Sequence, residues 1–161
     1  MDELTENIES KINLIELNNS TLYDLPSHII VPNYDRSKLN AGIVHIGVGN
    51  FHRAHLSWYI HRLLERGLAN NWSIIGGSVR KQDSEMRDKL LSQNFLTTLI
   101  ELDPNGYNQA EIVGGMIDYV PIDEDNKSLI QIMANPQIKI VSMTITEGGY
   151  YPVSYTHLTL P

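Results

Sequence analysis

The chain has 161 residues, of which 42% are hydrophobic and 19% are charged, and its formal net charge at pH 7 is -7. These values are typical of one globular domain, and an acidic chain without a Lys/Arg cluster lacks the basic surface that nucleic acid needs. The absence of cysteine excludes disulfides and thiolate zinc sites, and it is compatible with a reducing cytoplasm, where we expect the protein to work.

Residues 1–40 are predicted to form a polar leader and one short helix, which Ser20 caps and which ends by Pro26. The first residues lack the apolar stretch of a secretory signal. No apolar run approaches the roughly 20 residues that a membrane span needs, so we expect no membrane partner. A short β-like run at 29–31 and a polar loop at 34–41 follow.

Strand-like and helix-like segments alternate through the rest of the chain. Short apolar runs predict buried strands, and apolar residues at helical spacing predict helices. In chain order these are a strand at 43–46, a helix at 53–66 stopped by Gly67, a strand at 72–76, a helix capped by Asp83, a hairpin formed by 95–101 and 111–120 around a turn at 103–106, a helix at 127–134 and a buried strand at 138–145. The alternation predicts an α/β fold of Rossmann type, with a mostly parallel sheet, flanking helices and an inserted hairpin.

A glycine turn joins the first central strand to the first helix. Gly47 would permit the tight turn, and Gly49 would let a pyrophosphate approach the backbone N–H groups at the helix start. The full dinucleotide fingerprint has a third glycine where this chain has His52, so the motif alone is as compatible with a plain strand–helix turn. Arg53 could pair with a phosphate oxygen or lie solvated on the helix. The candidate cofactor-binding residues here are Ile46, Gly47, Val48, Gly49, Asn50, Phe51, His52, Arg53 and Ala54.

The loop after the second strand bears on cofactor choice. In such folds an acidic residue binds the ribose 2′-hydroxyl of NAD, whereas arginine accommodates the 2′-phosphate of NADP. No carboxylate follows this strand directly, and Arg80 and Lys81 would tolerate a phosphate. Asp83 is a candidate ribose ligand if the loop folds back, and a helix cap otherwise. The residues themselves leave NAD and NADP open.

Three polar residues follow the last strand, where ligands bind in open α/β sheets. Thr144 and Thr146 can donate hydrogen bonds to the ribose or amide of a nicotinamide nucleotide, and Glu147 can relay protons. The alternative is an ordinary strand end with a satisfied turn.

The histidines invite a metal interpretation, since His52 and His55 share one helix face and His61 follows. With no cysteine and no acidic cluster beside them, we expect no metal site. His55 is expected to be a packed residue that supports the site.

Residues 43–55, 72–77 and 144–150, together with 32–36 and 86–93, resemble the polyol-specific long-chain dehydrogenases. The resemblance extends from about Leu17 to about Tyr150. In that family a bulky residue after Gly-x-Gly is normal, as in Phe51-His52-Arg53-Ala54-His55, so the missing third glycine is a family feature. Glu147 also lies where the family places a glutamate that lines the site.

The resemblance implies an oxidoreductase that moves a hydride between C2 of a polyol and the nicotinamide of a dinucleotide, with mannitol and fructose as the expected pair. NAD is the implied cofactor, and NADP remains possible. Alternatives are a fructuronate or tagaturonate reductase of the same family and a dinucleotide-binding module without catalysis.

The resemblance also implies a domain organisation. Residues 41–150 would form the dinucleotide-binding domain, and the family's catalytic lysine lies in a helical second domain. We therefore expect the chain to be truncated before that domain, assign no catalytic residue and expect 1–161 alone to be inactive. Residues 151–161 depart from the family pattern and are expected to be a non-native tail.

Overall fold

The computed structural model describes residues 14–145. Their strands are β1 (Ala41–Ile46), β2 (Ser73–Gly77), β3 (Thr97–Leu102), β4 (Asn108–Val113), β5 (Met116–Tyr119) and β6 (Ile140–Met143). Their helices are α1 (Asn50–Ala54), α2 (Leu56–Glu65), α3 (Ser84–Ser92) and α4 (Lys127–Met133). Within this part of the chain, no helix is both long and apolar enough to cross a membrane.

Four strands form a parallel sheet in the order β5-β2-β1-β6, and β3 and β4 form a separate antiparallel hairpin. β1 lies between β2, the next strand of the sheet along the chain, and β6, the last one. Strand order therefore reverses at β1, which is where open α/β sheets bind their ligands. The predicted Rossmann-like sheet with flanking helices and an inserted hairpin is confirmed.

The central strand β1 is covered on both faces, which explains its apolar sequence. Ile43 packs in a buried cluster with Ile60 and Leu64 of α2. The next residue, Val44, points to the other face and packs in a second cluster with Leu129 of α4. Burial of each such side chain contributes about 1.5–3 kcal/mol to stability, so the two clusters hold β1 firmly between the helix layers.

Two glycines at the end of β2 let the surrounding elements close in. A Cβ at Gly76 would lie 2.8 Å from Cγ2 of Val48, in the turn after β1. A Cβ at Gly77 would lie 2.8 Å from Cδ1 of Leu129. Side chains at these positions would therefore push the turn and α4 away from the sheet.

Arg36 attaches the segment before β1 to the rest of the fold. Its guanidinium donates hydrogen bonds to the backbone carbonyls of Asn94 at 2.7 Å, Met116 at 3.0 Å and Gly114 at 3.3 Å. The predicted short helix is only a 3-10 turn, Leu22–Asp24, and Ser20 does not cap it. Instead Ser20 donates to the side chain of Asn18, which competes for the same hydroxyl.

The first helix differs from its prediction at 53–66. Helical backbone begins earlier, at Asn50, directly after the glycine turn. It is interrupted at His55, whose φ of -122° and ψ of -87° separate α1 from α2. The predicted stop is confirmed, since Gly67 follows α2 with φ +69°.

The return strand of the hairpin, predicted as one run at 111–120, is two strands. β4 pairs with β3 in the hairpin, and β5 pairs with β2 in the main sheet. Gly114 and Gly115 separate them. The turn of the hairpin is confirmed, because the Gly106 N–H donates to the Asp103 carbonyl at 2.9 Å.

The last strand, predicted as buried, is largely exposed. Its residues Ile140, Val141 and Met143 are 45%, 46% and 57% exposed. Among the described residues β6 lies at the edge of the sheet and pairs only with β1. The apolar sequence of β6 indicates a strand, but the position of that strand in the sheet decides how much of it other elements cover.

The close approach at Gly115 gives a stability prediction. A Cβ at this position would lie 2.7 Å from the Ser57 carbonyl oxygen, a backbone atom of α2 that cannot rotate away. Gly115→Ala should lower the free energy of unfolding by about 1–3 kcal/mol in urea denaturation followed by circular dichroism. Gly49→Ala is the matched control, because a Cβ there meets no atom of the described residues within 4 Å. Equal stabilities for the two variants would contradict the packing described.

Candidate functional site

The glycine turn after β1 is formed by backbone hydrogen bonds. The Gly47 N–H donates to the Gly77 carbonyl at the end of β2, and the Gly49 N–H donates to the Gly47 carbonyl, both at 2.9 Å. Gly47 has φ +94°, and a Cβ there would lie 3.2 Å from the Thr144 carbonyl oxygen. Glycine is therefore required at position 47 by both backbone conformation and space.

Gly49 differs, because nothing among residues 14–145 requires a glycine there. Its φ of -100° suits any residue, and a Cβ would meet no atom of these residues within 4 Å. The space beside Gly49 is open, and α1 begins at the next residue. N–H groups in the first turn of a helix have no acceptor within the helix, so they can donate to a ligand. An open glycine backbone beside such donors fits the pyrophosphate of a dinucleotide.

The side chains of the turn have different environments. Val48 is buried against Gly76, whereas Phe51 is 65% exposed. Arg53 donates to the side-chain oxygen of Asn50, and its Nε is buried without a hydrogen-bond partner among the described residues. Arg53 and Asn50 also line a cavity of about 180 Å³ toward β3. The guanidinium thus keeps a free donor close to the turn.

A ring stack takes the place of the third fingerprint glycine. His52, only 1% exposed, lies parallel to His45 of β1 with ring centroids 3.9 Å apart. Burial, with His45 and Arg53 nearby, lowers the pKa of His52 to about 3, and burial also lowers the pKa of His45. Both rings are therefore neutral at pH 7. Sequence reasoning missed His45, although a histidine within an apolar strand was a visible signal.

Thr144 lies beside the same turn, as the sequence predicted. Its N–H donates to the Ile46 carbonyl at 3.0 Å, continuing the pairing of β6 with β1. Its hydroxyl lies 3.0 Å from Nε2 of His45. The other two residues predicted here, Thr146 and Glu147, lie outside the described part of the chain.

Asp83 returns to the end of β2. Its carboxylate accepts a hydrogen bond from the Ser78 hydroxyl. It also accepts two hydrogen bonds from Arg80, with Nε at 3.2 Å and Nη2 at 3.0 Å. The loop thus folds back as ribose binding would require. Asp83 occupies the position before α3 but makes no capping hydrogen bond, so the cap interpretation is wrong. Sequence reasoning also missed Ser78, which directly follows β2.

His55 and His61 are not part of the turn's ring stack. His55 is exposed, against the expectation of a packed residue, and stacks on Phe51. His61 is fully buried and has an acidic neighbour that the sequence did not indicate, with Glu111 Oε1 3.4 Å from its Nε2. Residues 14–145 contain no group of three His, Asp or Glu side chains placed to hold a metal ion.

Comparison with known proteins decides the family. Residues 41–160 match the family model described as the mannitol dehydrogenase Rossmann domain. The chain belongs to the mannitol dehydrogenase family. The matched segment contains the glycine turn, the His45–His52 stack, Asp83 and Thr144.

Individual members of the mannitol dehydrogenase family show the same relationship. Mannitol 2-dehydrogenase of Cereibacter sphaeroides is 52% identical over 120 residues, which are 74% of this chain and 25% of that protein. The enzyme of the same name from Phaeosphaeria nodorum is 43% identical over 143 residues, 89% of this chain and 25% of that protein. The chain therefore spans about a quarter of the length of these relatives.

Two solved structures share the fold. One is the Pseudomonas fluorescens mannitol 2-dehydrogenase ternary complex with NAD and D-mannitol, with TM-score 0.80 and 39% identity over 84% of this chain and 28% of that one. The other is a D-sorbitol dehydrogenase in substrate-free form, with TM-score 0.74 and 36% identity over 83% of this chain and 28% of that one.

The buried ring of His52 predicts acid sensitivity in this member of the mannitol dehydrogenase family. The pKa of His52 is lower in the folded chain, about 3, than the ordinary value of 6.5. The stability that neutral His52 contributes is therefore fully present above pH 6.5. It is lost as pH falls from 6.5 toward 3, because the unfolded chain binds the proton first. This one group contributes a slope of at most about 1.4 kcal/mol per pH unit in the free energy of unfolding.

His52→Phe keeps a flat ring on His45 and removes the titrating group. Urea denaturation between pH 7 and pH 4.5 should show a shallower loss of stability than in the wild type. The control is His55→Phe, which changes an exposed ring of the same helix region. Parallel pH profiles for wild type and His52→Phe would show that His52 is not held neutral by burial.

Proposed function

We propose that the chain is the NAD-binding part of a polyol dehydrogenase that moves a hydride between C2 of mannitol and nicotinamide, with fructose as the ketose. The observation that carries the proposal is the open glycine backbone at Gly49, at the point where strand order in the parallel sheet reverses. Ligands of open α/β sheets bind at this place. The NAD and D-mannitol present in the Pseudomonas fluorescens structure support the choice of cofactor and substrate.

The residues at the carboxyl ends of three strands would each hold a different part of the dinucleotide. Backbone N–H groups after Gly49 would bind the pyrophosphate, and the guanidinium of Arg53 would add a charged donor. Asp83 would accept hydrogen bonds from the adenosine ribose at the end of β2. Thr144, at the end of β6, would bind a polar group of the nicotinamide nucleotide. NAD supplies the hydride acceptor, and these residues fix its orientation.

The charge at the end of β2 favours NAD over NADP. The Asp83 carboxylate would repel the 2′-phosphate of NADP while accepting hydrogen bonds from the 2′-hydroxyl of NAD. Arg80 is paired with Asp83 at 3.0 Å, so its charge partly offsets this repulsion. We therefore propose NAD as the preferred cofactor and NADP as a weaker ligand.

A polyol substrate is supported by the names of the relatives. The two compared sequences are mannitol 2-dehydrogenases, and the two solved structures are a mannitol and a sorbitol dehydrogenase. We assign residues 41–150 to cofactor binding and assign no catalytic residue in this chain. Location in the cytoplasm stays a prediction from composition.

Gly49→Val tests the cofactor site. A valine side chain would fill the open space beside the turn and block the pyrophosphate, so the dissociation constant for NADH in a fluorescence titration should rise at least about tenfold. The melting temperature should stay almost unchanged, because a Cβ at Gly49 meets no atom within 4 Å in the part of the chain that the structure describes. Gln109→Val, on the exposed hairpin, is the matched control and should bind NADH as the wild type does. Unchanged NADH affinity in Gly49→Val would refute the site.

Asp83→Asn tests the choice between NAD and NADP. Loss of the charge should weaken NADH binding by roughly tenfold, the value of one charge-assisted hydrogen bond, while NADPH binding changes less or improves. The ratio of the two dissociation constants, measured by the same titration, should therefore shift toward NADPH. Asp88→Asn, an exposed carboxylate of α3, serves as control. An unchanged ratio in Asp83→Asn would exclude Asp83 from ribose recognition.

A further inference from the structure

His45 bridges the ends of two strands through both of its ring nitrogens. Nδ1 lies 2.9 Å from the Ser142 hydroxyl, and Nε2 lies 3.0 Å from the Thr144 hydroxyl. His45 is on β1, and both hydroxyls belong to the segment of β6 and its end. The ring itself is 4% exposed. An imidazole with two hydroxyl partners in the interior is fixed in position and orientation.

The chemistry of a neutral imidazole makes this bridge directional. One ring nitrogen carries a hydrogen and donates, and the other accepts. The hydroxyls of Ser142 and Thr144 must therefore play opposite roles toward His45. Either tautomer of the ring satisfies both contacts, so the bridge fixes the position of the Thr144 oxygen and occupies one of its hydrogen bonds. The remaining bonding capacity of the hydroxyl points away from the ring.

His52 holds the bridge in this state. Its ring covers the His45 ring at a centroid distance of 3.9 Å and an angle of 15°, which excludes water from that face. Burial lowers the pKa of both histidines, so His45 keeps one donor and one acceptor at neutral pH. His52, at the third fingerprint position, thus supports the end of β6 as well as the glycine turn.

We propose that His45 is a positioning residue that holds the Thr144 hydroxyl in the orientation required to bind the nicotinamide nucleotide. The inference rests on the proposed function, since it concerns a contact within that cofactor site. His45 itself is buried, so we place it behind the cofactor site and not in contact with the cofactor. Its effect on binding passes through Thr144, and Ser142 anchors the opposite side of the ring.

Two amide variants separate this role from simple packing. The side-chain amide of His45→Gln lies near the place of Nε2 and can still reach Thr144, whereas the amide of His45→Asn lies near the place of Nδ1 and can reach only Ser142. NADH titration of the 161-residue chain should give a dissociation constant within about twofold of wild type for the glutamine variant. The asparagine variant should bind about three- to tenfold more weakly, as expected for one lost hydrogen bond.

A double-variant cycle tests whether the effect passes through Thr144. Thr144→Val removes the hydroxyl at nearly constant shape and should weaken NADH binding by a similar factor. Adding His45→Asn to Thr144→Val should weaken it no further. His45→Phe keeps a ring on His52 if the amides disturb the fold, and it should behave as His45→Asn does. His28→Asn, an exposed histidine, is the matched control and should leave affinity unchanged.

The outcomes distinguish the inference from the proposed function. A wild-type chain that fails to bind NADH overturns the proposed function and the inference with it. A wild-type chain that binds NADH, with equal affinities for the glutamine and asparagine variants or with multiplying effects in the double variant, overturns only the role of His45. A shift of melting temperature without the predicted pattern of affinities indicates a purely structural histidine.

Discussion

The backbone at Gly47 is held from both neighbouring strands. Its N–H is bonded to the end of β2, and the carbonyl of Thr144, after β6, lies so close that a Cβ would be 3.2 Å away. The chain leaves β1 through this turn, in which Gly47 has φ +94°, and α1 begins at Asn50. That start brings His52 over His45 and leaves Gly49 facing open space. The candidate site is therefore a consequence of how three parallel strands end together.

The break at His55 follows from two demands on one helical segment. α1 is bound to the sheet by the His52 ring. α2 is bound to the hairpin, because the buried carboxylate of Glu111 accepts hydrogen bonds from Trp58 at 2.9 Å and Arg62 at 2.8 Å. In this structure α1 and α2 therefore do not form one straight helix. The Glu111 hydrogen bonds thus fix α2 on the hairpin, while α1 follows the glycine turn.

Local patterns predicted the strands and the turns, and they placed the candidate site at the glycine turn. Gly47, Gly49 and Thr144 were recognisable because turn chemistry and strand ends are encoded within a few residues. The division of 111–120 into β4 and β5 was not recognisable, because the alternation of side chains along a strand does not reveal that its pairing partner changes. Exposure of β6 depends on strand order, and the role of His45 depends on hydroxyls nearly a hundred residues away. Thr146 and Glu147 remain predictions.

The ring stack also changes how related sequences should be recognised. Where the third fingerprint residue is glycine, the helix needs no particular side chain on the strand beneath it. His52, in contrast, needs a flat, neutral ring on β1 to stack against. Substitutions at positions 45 and 52 should therefore be correlated across homologues, and glycine at 52 alone would leave a void above His45. A search that demands three glycines would pass over such chains. A more selective signature is a pair of rings seven positions apart that enclose Gly47 and Gly49.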